Sequence, residues 1–232
     1  QFNIGDYAQV AHQFGNNVPA VAGKDQGIKD DINIINLVAE YDLGWATVLS
    51  SSAWMEEDSE ANNDVSYLVG GSPLIQPTAG SSDVFVEELR LVSQLDGPFQ
   101  YIAGLYYEDR KYFQANPNFA TGDLALSRFQ NSIDPTDPKV SDQFTDRSME
   151  QLAFYGELSY DLTEQLTLTG GVRRFDYERN QHYFLEGVLG NVDDNTKLEE
   201  TGTTFKANLS YQSSEDMLVY GQWAQGFRLG GS

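Results

Sequence analysis

The feature that most constrains this chain is the rhythm of its connections. Segments rich in Leu, Val, Thr, Tyr and Phe are joined alternately by tight turns and by long polar stretches. Ile32–Asp42 and Trp45–Met55 flank Leu43–Gly44, and Phe85–Leu95 and Phe99–Lys111 flank Asp96–Pro98. Gln151–Asp161 and Gln165–Tyr177 flank Leu162–Glu164, and Thr203–Gln212 and Met217–Arg228 flank Ser213–Asp216. Such short polar gaps, one of them Asp-Gly-Pro, are hairpin punctuation. The long stretches are Glu57–Asp83, Tyr112–Ser148 and Arg179–Glu200. Compact soluble domains rarely hold structureless connections beyond about 12–15 residues. An all-β, antiparallel up-and-down meander of about eight strands accommodates the rhythm, with the tight turns at one end and the long loops at the other. Transmembrane barrels are built this way. Segments of about 10–13 residues are long enough for the roughly 9–11 that cross a bilayer at a tilt.

Periodicity supports strands. Leu152, Phe154, Leu158 and Tyr160 share one face of their segment, against Gln151, Tyr155, Glu157 and Ser159. Phe205, Ala207, Leu209 and Tyr211 likewise oppose Lys206, Asn208 and Ser210, a period of two rather than 3.6. The alternation is weaker in Trp45–Met55 and Met217–Arg228. No proline falls inside a proposed strand, where it would remove a ladder donor. Aromatics fall in two bands. Tyr41, Trp45, Phe99, Tyr101, Tyr160 and Tyr211 lie near the short turns. Trp54, Phe85, Tyr107, Phe175, Tyr177, Trp223 and Phe227 lie near the long loops. Interfacial girdles have this form, although aromatics favour any strand.

Charge and composition exclude several functions. A net charge of -21 leaves no cationic surface for nucleic acid. The three long stretches supply about half of that charge. Absence of cysteine removes thiolate chemistry and Cys-ligated metal. No apolar run approaches the ~18 residues of a membrane helix, which leaves a membrane barrel open. Neither a P-loop nor a dinucleotide fingerprint occurs, and His12 and His182 belong to no metalloprotease motif. Glu87 and Glu88 point to opposite faces of a strand and cannot flank one glycosidic bond. Asn191–Asn195 carries several oxygen ligands without the spacing of a calcium loop, so a solvated loop is expected there. No enzyme activity, metal or cofactor is expected.

Three motifs carry a family resemblance. Glu87-Glu88-Leu89-Arg90-Leu91-Val92-Ser93, with Asp96-Gly97-Pro98 and Ala103-Gly104-Leu105-Tyr106-Tyr107, resembles the E-x-R-L-x-S … W-x-x-G-x-Y-Y strand pair of TonB-dependent outer-membrane receptors. Leu166–Arg173 resembles their L-T-x-T-x-G-x-R strand, and Val219–Gly231 their G-F-R-x-G-G strand. The motifs stand in family order, and Trp45–Trp54 is a looser match upstream. The resemblance implies a barrel segment spanning 32–232, after an unassigned loop or strand remnant at 1–31. It also implies a location in the bacterial outer membrane and uptake of a scarce nutrient such as a siderophore, cobalamin or oligosaccharide. The implied partners are outer-membrane lipid, the small-molecule nutrient, and the TonB complex through a plug domain outside these residues. Parity places Glu88, Arg90, Glu157, Arg173, Lys206 and Asn208 toward the lumen, as ligand contacts or as a polar ladder pairing with itself or the plug. Phe113, Phe119, Phe129, Phe144, Tyr183 and Phe184 are candidate capture aromatics of the long loops, or packing groups between them. Two alternatives remain: a complete eight-stranded barrel acting as anchor or adhesin, and a soluble acidic β-domain binding carbohydrate or calcium.

Overall fold

The computed structural model describes residues 27–65, 74–120 and 139–226, and throughout them the regular structure is strand. The strands are β1 (Gly27–Asp42), β2 (Ala46–Asp64), β3 (Leu74–Ser93), β4 (Phe99–Ala115), β5 (Asn118–Ala120), β6 (Lys139–Thr163), β7 (Leu166–Gly187), β8 (Val192–Ser214) and β9 (Met217–Ala224). They form one antiparallel sheet in the order β1-β2-β3-β4-β6-β7-β8-β9, and short β5 bridges β3 and β6 beyond the end of β4. Each long strand therefore lies beside its chain neighbour. The four turns at 43–45, 94–98, 164–165 and 215–216 share one end, as the meander requires. The other connections leave from the opposite end, where the β7–β8 connection is itself a turn of four residues, 188–191, rather than a long loop. Among the described residues β1 and β9 do not pair, so this stretch is an open wall rather than a closed eight-stranded barrel.

The turns are fixed by local chemistry. Gly44 and Gly97 have φ of 84° and 117°, which side-chain-bearing residues rarely adopt. The Asp42 carboxylate accepts the Gly44 N–H at 2.7 Å. At the β6–β7 turn the Thr163 hydroxyl accepts the N–H groups of Gln165 and Leu166, at 3.2 and 3.0 Å.

The strands are longer than the sequence suggests. β6 has 25 residues, β8 has 23 and β7 has 22, about twice what a bilayer needs. Most of Arg179–Glu200 and parts of Glu57–Asp83 and Tyr112–Ser148 are thus strand rather than loop. Beyond the lipid both faces of the wall are wet, so nothing enforces apolar alternation there, while the backbone ladder continues. Pro77 lies inside β3, contrary to the expectation that prolines stay between strands. Val65 N donates to Leu74 O, which makes Asn62↔Pro77 a non-hydrogen-bonded pair. The missing donor then faces the break between the Ala79↔Ala115 and Ile75↔Phe119 pairings, where no ladder bond is lost.

The two faces differ as predicted. Leu152, Phe154, Leu158 and Tyr160, with Phe205, Leu209 and Tyr211, are exposed on the convex side; Leu158 is 56% exposed. Trp54, Phe85 and Tyr107 continue that side as a tilted row, with centroids 5.2 and 6.2 Å apart. Phe175 and Tyr177 are corrections to the proposed upper girdle. They share parity with Arg173, turn inward, and are buried against Met149 and Ala153. Phe227 lies outside the described residues.

A row of carboxylates lies above the apolar band on the outer wall. Asp109, Glu150, Glu178 and Glu199 are directly opposite one another across β4, β6, β7 and β8. Like charges so placed repel. Lys197 relieves part of this by pairing with both Glu178 and Glu199. Hydrogen bonding from Asn180, and then from Lys197, holds the Glu178 carboxyl below its ordinary range. Its contribution to folding is present above the unfolded pKa and lost as pH falls through the lowered one. Lys197→Met should raise the Glu178 midpoint toward that of a free glutamate, read from its side-chain 13C shift.

Candidate functional site: the concave wall

The concave face is built from alternating bulky polar residues and glycine. Gly104 of β4 lies between Arg90 of β3 and Tyr155 of β6. An added Cβ there would overlap the Tyr155 ring, so the ring lies flat across β4 in the space the glycine leaves. That brings Tyr155 Oη to β3. Tyr155 Oη donates to Glu88 Oε1 at 2.6 Å, and Arg90 Nε donates to Tyr155 Oη at 3.1 Å. Arg90 Nη2 reaches both Glu88 oxygens at 2.9 Å. Gly171 and Gly202 repeat the device under Lys206 with Glu157, and under Phe175. Lys206 Nζ meets Glu157 Oε1 at 2.5 Å.

Nearer the long-connection end, Glu108 is buried and accepts from Tyr106 Oη at 2.7 Å and from Arg110 at 2.8 Å. The Arg173 guanidinium lies over the Tyr106 ring, 5.2 Å from its centroid. Gln151 Nε2, Arg173 Nε and Asn208 Oδ1 are buried atoms without a hydrogen-bond partner. Glu88, Arg90, Tyr155, Glu157, Arg173 and Lys206 line a hollow of about 460 Å³. The parity reading thus brings five of its six lumen candidates to one hollow, and Asn208 shares their face just below Lys206. It missed Tyr155, Tyr106, Glu108 and Arg110. The detectable signal for Tyr155 was its shared parity with Glu157.

Replacing Lys206 by methionine leaves Glu157 without its partner on a half-exposed wall. A loss of about 1 kcal/mol is expected in reversible unfolding. Exchanging the charges, Glu157→Lys with Lys206→Glu, should recover most of it.

The aromatic candidates divide. Phe113, Phe144 and Phe184 belong to the convex face, where Phe144 stacks on Phe184 at 5.0 Å and lies 6.1 Å from Phe113. His182 meets Phe144 edge-on, and its Nε2 lies 2.7 Å from Asp193. Tyr183 has inward parity, Phe119 is half-buried in β5, and Phe129 lies outside the described residues. Asn191 Oδ1 accepts the Gly187 N–H, and Asp194 accepts from Thr196. These acceptors serve the β7–β8 turn, and no group of metal-ligating side chains occurs among the described residues. Glu87 points outward and accepts hydrogen bonds from Ser50 and Ser52, whereas Glu88 points inward.

The family model of the TonB dependent receptor-like β-barrel matches residues 2–232. The chain belongs to that family. Its barrel is one of the bacterial outer membrane, and the family is one of receptors rather than enzymes. Solved barrels share the fold. The ferric yersiniabactin uptake receptor FyuA of Yersinia pestis is 19% identical with a TM-score of 0.72, over 88% of this chain and 29% of that one. The siderophore receptor PiuA of Acinetobacter baumannii is 17% identical with a TM-score of 0.63, over 91% and 36%. The ferric-catecholate import receptor Fiu of E. coli K12, in its open form, is 14% identical with a TM-score of 0.56, over 96% and 40%. The chain therefore spans between about three tenths and two fifths of these receptors' length. A search of curated proteins finds no match. The TonB-dependent receptor barrel accounts for the outward apolar band that a soluble acidic domain would not carry.

Proposed function

We propose that this TonB-dependent receptor barrel takes up a scarce nutrient across the outer membrane, with energy relayed by the TonB complex through a plug seated against the concave wall. The observation that carries this reading is the wall itself, a wet face of charged and aromatic groups behind a lipid-facing band. Neighbours in fold named as siderophore receptors favour a ferric siderophore over cobalamin or an oligosaccharide. Glu88, Arg90, Glu157, Arg173, Lys206 and Asn208 act as contacts for solute or plug, and no bond of the solute is made or broken. Capture begins at the long-connection end, with Phe119 and Tyr183 as its aromatic surface. The convex trio of Phe113, Phe144 and Phe184 stiffens the projecting wall.

Cells expressing the full-length protein should accumulate labelled ferric siderophore above a deletion strain, and an uncoupler or loss of TonB should abolish the difference. Uptake that ignores both treatments would refute active transport. Because β5 ends at Ala120 and β6 begins at Lys139, a deletion should remove 121–138 and leave both strands whole. It should cut uptake at least tenfold while the barrel stays in the membrane, seen by its heat-modifiable migration.

A further inference from the structure

Among the described residues, the charged side chains around this hollow are held in closed pairs, with one exception. Glu88 is engaged by Arg90 through both oxygens and by Tyr155 as well. Glu157 is engaged by Lys206 and Glu108 by Arg110 and Tyr106. Arg173 forms no ion pair among the described residues, and its Nε is buried without an acceptor. The guanidinium is nonetheless positioned. Tyr106 supports it from one side, and cross-strand neighbours Tyr155 and Thr204 flank it. The hollow's charged lining comprises the cations Arg90, Arg173 and Lys206 and the carboxylates Glu88 and Glu157, which leaves one net positive charge. The chain as a whole carries -21, so this hollow is a local attraction for an anion on a strongly acidic protein.

We propose that Arg173 is an oxyanion-binding point of the lumen wall, taking a carboxylate on the open side of its planar fork while Tyr106 stacks behind it. A guanidinium held over a ring keeps its N–H edge free for bidentate contact with a carboxylate. Thr204, directly opposite on β8, offers a hydroxyl for a further hydrogen bond. The carboxylate has two possible sources, a solute in transit or an acidic side chain of the segment that fills the barrel. The site rests on the reading of the concave face as a transport lumen. Its readouts are binding and amide exchange on purified protein, so its failure and a failure of uptake are told apart.

The test uses the full-length protein in detergent, titrated at low ionic strength with succinate and followed by calorimetry. A solute site predicts succinate binding that Arg173→Gln weakens about 10- to 100-fold, as for loss of a charge-assisted contact. Arg173→Lys should keep part of the affinity, and Tyr106→Leu should weaken it with the charge intact. A segment-derived carboxylate predicts no succinate binding by the unaltered protein. In that case Arg173→Gln should speed amide exchange in the barrel-filling segment and leave β6, β7 and β8 unchanged. Heat-modifiable migration verifies insertion of each variant, and if Arg173→Gln fails to insert, Arg173→Lys and Tyr106→Leu carry both readouts. Binding and exchange both indifferent to these variants would overturn the assignment.

Discussion

Replacing Gly104 by leucine is expected to be among the most damaging single changes on the concave wall. The new side chain must occupy the volume that the Tyr155 ring fills, and the ring has Arg90 and Glu88 on its far side. Backbone pairing on both sides of Gly104 prevents the strand from yielding. Overpacking of this kind costs about 1–3 kcal/mol, and each severed hydrogen bond to a charged group adds about 1.5–3. A loss of roughly 3–5 kcal/mol is therefore expected, read as a lower midpoint of urea unfolding in lipid. Tyr155→Ala in the same background should recover the overpacking part but not the hydrogen bonds. If Gly104→Leu unfolds at the unaltered midpoint, the flat packing of Tyr155 across β4 is wrong.

Arginine at Leu158 should produce an effect of similar size for a different reason. Leu158 lies within the outward run from Leu152 to Tyr160 on β6, beside Tyr101 on β4 and Gly170 on β7. A guanidinium facing lipid near the midplane costs about 2–4 kcal/mol. Arginine at Ser159, one residue away and turned inward beside Thr169, should cost well under half as much. Equal effects at the two positions would mean that the wall is wetted on both sides, or that the register is shifted by one.

Much of this architecture is legible in the chain because lipid is an exacting solvent. Where a strand must show hydrocarbon on one side, the sequence alternates, and Gln151–Asp161 and Thr203–Gln212 can be assigned to faces without coordinates. Trp45–Met55 alternates poorly because its outward face carries Ser50 and Ser52, hydroxyls that bond Glu87 on the next strand. The polarity is satisfied across the sheet, a pairing no single segment reveals. Strand ends were hidden for the opposite reason, since water on both faces leaves no pattern to read. Phe175 and Tyr177 show the hazard of reading position along a strand rather than parity. Both are near the rim, yet the residue facing Phe175 on β8 is Gly202, which leaves room for the ring inside. The lumen candidates came from parity alone. Which of them pair, and that Arg173 is left over, depends on which side chains reach across an intervening strand.

The meander also sets the unit by which such a wall can be lengthened or shortened during evolution. Successive strands run in opposite directions, so loss or gain of one hairpin returns the chain to the side from which it came. Gain of a single strand would instead send every later long connection to the periplasm and every tight turn to the cell exterior. Gene rearrangements in this wall should therefore be tolerated in steps of two strands, with breakpoints at turns such as Gly44 and Gly97. An odd step would invert all that follows it.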